Sequence, residues 1–170
     1  MSVLHGLALA IVAVAAAIDI RTKRIPNVLT FGGAAIALVI QALTGGWTGL
    51  GMGLAGWFVG ALLFFPLFAL RGLGAGDVKL LAAVGACLGP SEILPAALFT
   101  VLAGGLLALV VATIRGYVRQ AAMNLWTMLA FWRAAGLRPV PGLTVEDTSA
   151  PRLAYGAAIA AGTFAAVLLK

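Results

Sequence analysis

Charge is what this chain has least of. Lys and Arg number 11 and Asp and Glu five, so 9% of its 170 residues are charged, against about a quarter in ordinary soluble domains. Hydrophobic residues make up 63%, and apolar runs of roughly 20 residues, long enough to cross a bilayer, recur throughout. The pattern excludes an ordinary water-soluble domain and predicts an all-α, polytopic membrane protein. Cysteine is nearly missing. Cys87 alone permits no internal disulfide, no CxxC motif and no zinc site built on several thiolates; in its apolar stretch it reads as a small buried hydrophobe. A long basic face or arm is missing too. The net charge of +6 is broken into short clusters between apolar runs, which argues against nucleic acid and for anionic lipid headgroups as the partner.

The first run, residues 7–18, ends in "AVAAAID", which looks like a signal-peptide cleavage site. It lacks a basic leader, since only His5 precedes it and the cations follow it, so it is read as a transmembrane helix with His5 at the interface. Windows of about 19 residues then place spans near 2–20, 26–44, 48–70, 77–90, 92–114 and 152–169. That makes about six transmembrane helices in one membrane-embedded domain, 1–170. The fourth is short: about 14 residues at 1.5 Å rise cover about 21 Å of a roughly 30 Å core.

If six spans alternate, Arg21, Lys23, Arg24, Arg71, Lys79, Arg115, Arg119, Arg133, Arg138 and Arg152 all fall on one side. The positive-inside rule makes that side cytoplasmic and puts both termini outside. Between the fifth and sixth spans, the insert near 115–151 opens with Val118, Ala122, Leu125, Leu129 and Trp132 at helical spacing. It reads as an amphipathic helix lying in the cytoplasmic interface; a seventh span would have to bury Arg119, Gln120 and Asn124. The Pro- and Gly-rich stretch after it is a loop, where Glu146 and Asp147 are solvated charges. Glu92 belongs to a short outer turn.

Two carboxylates remain, Asp19 in "AAIDIRTKRIPN" and Asp77 in "GAGDVK". An aspartate inside a membrane helix costs about 2.5–3.5 kcal/mol at the bilayer centre and less near the interface, so each calls for a reason. A helix N-cap would explain Asp77 structurally. Asp19 closes its helix at the unfavourable end of the dipole, where an ion pair to Arg21 or Lys23 is the structural explanation. Gly74 and Gly76 let another helix approach Asp77; Pro26 sets a turn before the second span, and Asn27 offers a polar hand to it. Two carboxylates at one membrane depth, on helices able to touch, are equipment for sharing a proton and activating a water. The same equipment suits a proton-coupled transporter.

These segments resemble the type IV prepilin peptidases: "DIRTKRIPN" (19–27) their first-aspartate motif, "GAGDVK" (74–79) their GxGDxK motif, and "RLAYG" (152–156) the opening of their last helix. The resemblance implies a GxGD aspartyl endopeptidase of the bacterial inner membrane, needing no metal or organic cofactor. It would remove the leader of prepilin-like substrates at the cytoplasmic face. Asp19 and Asp77 would be the catalytic pair, Gly74, Gly76 and Lys79 would shape the second motif, and Pro26, Asn27 and Tyr155 match motif positions. With no paired cysteines and a first span starting almost at Met1, methylation is not implied, and the chain looks like the short class serving tight-adherence or Flp-type pili. Ala154 stands where the family has proline. Two other readings stay open: a GxGD protease of the presenilin and signal-peptide-peptidase kind, although no Pro-Ala-Leu signature precedes the last helix, and a non-enzymatic transporter or pilus-assembly scaffold.

Overall fold

The computed structural model describes residues 2–140, 142–143 and 153–169. The regular elements among them are all helices: α1 (Val3–Thr22), α2 (Asn27–Ala69), α3 (Ala75–Leu88), α4 (Pro90–Ile114), α5 (Val118–Ala135) and α6 (Tyr155–Leu168). Helices α1, α2 and α4 are long and apolar enough to cross a membrane, and the chain is an all-helical membrane protein. Glu146, Asp147 and Arg152, to which loop or topological roles were assigned above, lie outside the described residues.

At 43 residues, α2 would run about 65 Å if straight, twice a bilayer core. It does not run straight. Gly46, at φ 58° and ψ −145°, breaks it in a conformation that side chains rarely adopt, and the two halves fold back on each other. A methyl group added at Gly53 would lie 2.9 Å from Leu38 and 3.3 Å from Gln41, residues that a straight helix would hold about 18 Å or more away. The halves correspond to the expected second and third spans.

Within this fold α3 is the axis, and every residue from Leu80 to Leu88 is buried. It packs chiefly on the second half of α2 through a seam of small residues: Gly56 and Gly85 face each other's backbone carbonyls, and Gly60 sits against Leu81 and Ala82. Lipid tails are as apolar as leucine, so membrane helices associate through close packing and hydrogen bonds rather than the hydrophobic effect. Glycines supply the first here, and Gln41, whose Nε2 donates to the Ala86 carbonyl at 3.3 Å, adds the second. This settles the short fourth segment. Its 14 residues would underfill a bilayer, but protein surrounds them, and polar backbone at membrane depth is tolerated where protein encloses it.

Helix α6 packs between α1 and α4, with Gly162 against the backbone of Thr100. It starts at Tyr155, three residues later than the expected 152. At the opposite end of the bundle from Asp19, His5 Nε2 and Glu92 Oε2 meet at 2.9 Å. His5 thus has a partner in Glu92, which stands in the first turn of α4 rather than in a separate turn.

Helix α5 rests on the bundle along one edge only. The stripe of Val118, Ala122, Leu125 and Leu129 is exposed, while Ala121, Asn124, Met128 and Trp132 are partly covered. Protein therefore takes one edge of the helix, next to α4, and leaves the apolar stripe to the surroundings, as for a helix lying in a membrane interface.

The glycine seam yields a direct expectation. Gly85→Val would drive a branched side chain into the Gly56 carbonyl, an overpacking that costs about 1–3 kcal/mol. The purified variant in detergent should unfold at clearly lower temperature than wild type, whereas Gly105→Ala, at a position with open space around it, should leave the melting temperature unchanged.

Candidate active site

Four parts of the bundle meet around one opening. The end of α1, the loop entering α3, the start of α6 and one face of α4 enclose a cavity of about 740 Å³. Both Asp19 and Asp77 line it.

Asp19 lies in the last turns of α1 and is 6% exposed. A buried carboxylate is tolerable only when hydrogen-bonded, and its partner is the Gly156 backbone N–H, which donates to Oδ2 at 2.9 Å from the first turn of α6. Glycine leaves room for this contact, since a methyl group at position 156 would lie 3.0 Å from that oxygen and would crowd it by a few tenths of an ångström. Among the described residues neither Arg21 nor Lys23 forms a salt bridge to Asp19. The ion-pair explanation is thus replaced by a backbone hydrogen bond.

Asp77 is not an N-cap. Gly74 holds the cap position, and Asp77, three residues on, turns its Oδ2 back to accept the Gly74 N–H at 3.1 Å, the second half of a capping box. The dipole at this helix start favours a carboxylate. Each aspartate therefore has one oxygen held by a backbone N–H. The Oδ1 atoms have no hydrogen-bond partner among the described residues, and neither is sealed from solvent. These oxygens are free to serve a guest.

The remaining predicted residues support the two loops. Pro26 precedes α2 in extended conformation, and its carbonyl accepts the N–H groups of Leu29 and Thr30. Asn27 does not cap α2. Its Oδ1 accepts from Lys79 Nζ at 3.0 Å, and that ammonium lies 5.5 Å from the centre of the Phe31 ring. The pair staples the start of α2 to the first turns of α3. Gly76 is pressed on Ile25, with a methyl position 3.2 Å from its Cβ, so the loop after Asp19 and the helix carrying Asp77 touch. Tyr155 lines the cavity with its ring edge-on to Phe64 at 5.9 Å.

Sequence reasoning missed two components: Gly156, quoted in a motif but given no role, and the α4 face of Val101, Gly104, Gly105 and Ala108, which forms a cavity wall. The "AGG" within an apolar helix was the available signal for the second. No three His, Cys, Asp or Glu side chains gather among the described residues, so the acidic groups offered to a guest are the two aspartates.

Helices of membrane length around a cavity with two open carboxylates define a polytopic membrane protein with a carboxylate-bearing cavity at one end of its bundle. The model of the type IV leader peptidase family matches residues 6–109; the chain belongs to that family and is a membrane peptidase. The match spans α1 to most of α4 and includes both aspartates, whereas α5 and α6 lie beyond it. Searches of curated proteins and of solved structures return no match.

The Asp19–Gly156 contact is testable at once. Gly156→Ala keeps the donor but crowds the carboxylate by a few tenths of an ångström, a displacement that a group taking part in the reaction would register in rate. Leader-peptide cleavage should fall by at least about ten-fold while the membrane-inserted amount, read by immunoblot of washed membranes, stays at the wild-type level.

Proposed function

We propose that this peptidase is an aspartic endopeptidase with Asp19 and Asp77 as its catalytic pair, removing the leader of prepilin-like, Flp-type proteins at the cytoplasmic face of the bacterial inner membrane. The observation that carries the reading is the pairing of two carboxylates around one cavity, each anchored through one oxygen to a backbone N–H.

In this reading the substrate's apolar helix lies among the enzyme's helices, and its leader leaves the membrane at the cavity end. One aspartate, ionised, takes a proton from a water as the water oxygen attacks the scissile carbonyl carbon. The other, protonated, donates to the carbonyl oxygen and stabilises the charge that gathers there. When the tetrahedral species collapses, the C–N bond breaks and the leaving nitrogen takes up a proton from the dyad. No metal or organic cofactor enters the scheme. Gly74 and Gly76 set the backbone around Asp77, and the Lys79–Asn27 staple beside Pro26 holds the two aspartate-bearing segments in register.

The orientation is supported by charge. Arg21, Lys23, Arg24, Arg71, Lys79 and Arg115 all stand at helix ends or loops on the cavity side, which the positive-inside rule makes cytoplasmic in a six-span arrangement. There Arg119 and Arg133 on α5, beside its exposed apolar stripe, suit anionic headgroups. The partners of this reading are prepilin-like substrates, that lipid surface and pilus-assembly components, with no nucleic acid.

Coexpression with a prepilin-like protein, with leader loss read by mass spectrometry, tests the activity. Asp19→Asn and Asp77→Asn should each abolish processing with protein level in the membrane near normal; processing at near wild-type rate in both variants would overturn the proposal. The face is tested separately. In a Cys87→Ser background, a membrane-impermeant thiol reagent that passes the outer membrane should label Thr48→Cys and spare Thr22→Cys in intact cells, and the reverse pattern would place the cavity outside.

A further inference from the structure

One polar group at the cavity is unexplained by the two aspartates, the hydroxyl of Tyr155. The structure gives it no hydrogen-bond partner among the described residues, yet it is not sealed from solvent. Its side chain lines the same cavity as both carboxylates. A ring needed only for packing has no use for a hydroxyl here, and this one is left open to a guest in the cavity.

Its placement is tightly determined. On one side the ring meets the edge of Phe64 at 5.9 Å, and Phe64 is itself 1% exposed. On the other it occupies a notch in α4 that exists because residue 104 is glycine: a methyl group there would lie 2.6 Å from Cε2 and 2.7 Å from the hydroxyl oxygen. Along the chain the next residue is Gly156, whose N–H holds Asp19. One peptide unit thus joins the anchor of the first aspartate to a side chain that lines the cavity it shares with the second. Fixing a donor through packing and backbone hydrogen bonds is how a preorganised site is built.

We propose that the Tyr155 hydroxyl donates a hydrogen bond to the carbonyl oxygen of the scissile peptide and keeps it as that oxygen becomes tetrahedral, making Tyr155 a third catalytic residue beside Asp19 and Asp77. No proton leaves the phenol. Water still loses its proton to the ionised aspartate, and the leaving amine still receives one from the dyad; the hydroxyl only stabilises the oxygen on which charge develops. The assignment rests on the dyad reading above. It places part of the reaction centre on α6, beyond the residues 6–109 that the family model matches.

The experiment uses the full chain in membranes or detergent with a prepilin-like peptide that wild type cleaves. Tyr155→Phe keeps the ring on Gly104 and against Phe64 and removes only the donor. It should lower kcat about 10- to 100-fold, toward the loss expected for one oxyanion donor, with KM within about two-fold and the melting temperature unchanged. Affinity for a statine-type peptide, whose hydroxyl mimics the tetrahedral oxygen, should fall in parallel, while affinity for the cleaved product peptide should not. A wild-type kcat in Tyr155→Phe, with Asp19→Asn and Asp77→Asn inactive, overturns this role and leaves the dyad standing; cleavage persisting in both aspartate variants overturns the dyad and this role together. A second readout does not depend on the variant folding. The chain has two tyrosines, so in a Tyr117→Phe background 3-fluorotyrosine labels position 155 alone. Its fluorine resonance should shift when the statine-type peptide binds, and a resonance that stays put overturns the contact.

Discussion

A carboxylate withdrawn from water must be given a hydrogen bond, and the arrangement of this bundle follows from how Asp19 obtains one. Its donor is 137 residues away in sequence, the Gly156 N–H at the first turn of α6. Helix starts carry N–H groups that no helical carbonyl can satisfy, together with the positive end of the helix dipole. Setting such a start against Asp19 meets both needs at once. It also requires α6 to enter the bundle beside α1 and holds the Tyr155 side of that helix against the cavity. Asp77 meets the same requirement locally, through the Gly74 N–H one turn back.

The second constraint is how close helices can come when lipid supplies no hydrophobic drive between them. Glycines at 56, 60 and 85 let α2 and α3 touch backbone to backbone. A 14-residue helix too short to span a membrane can therefore serve as the axis, with Asp77 at its polar end. The α2 hairpin, turned at Gly46, wraps that axis, and the Lys79–Asn27 contact closes the wrapping at the cavity side. Each element that positions a carboxylate is thus fixed by a glycine contact or a backbone donor.

Much of this was legible in the sequence. Scarce charge and repeated apolar runs announce helices in a membrane, and the Gly-Gly pair at residues 45–46 marks the α2 turn, because periodicity and composition are local signals. Asp19 and Asp77 stand out since carboxylates are costly in apolar segments. What was not legible is non-local. Nothing in "RLAYG" says that its glycine N–H reaches Asp19, and nothing in "VLAGGLLA" says which face of α4 borders a cavity, since both depend on which helices become neighbours. For the same reason the N-cap explanation of Asp77 and the ion-pair explanation of Asp19 could be excluded only from the fold. The α5 stripe was read correctly as apolar, but its exposure depends on α4 and its neighbours covering a different edge.

Function in this account comes from two carboxylates held by different helices and presented with one free oxygen each to a shared cavity. Groups that act as one unit show it in their kinetics, because removing either leaves nothing for the other to complete. The most direct measurement is a double-mutant cycle on leader cleavage, with residual rates of Asp19→Asn, Asp77→Asn and the double variant determined by mass spectrometry over long incubations. The account predicts that the double variant is no slower than the slower single variant, within about two-fold. Losses that multiply in the double variant, as independent sites would give, would contradict it.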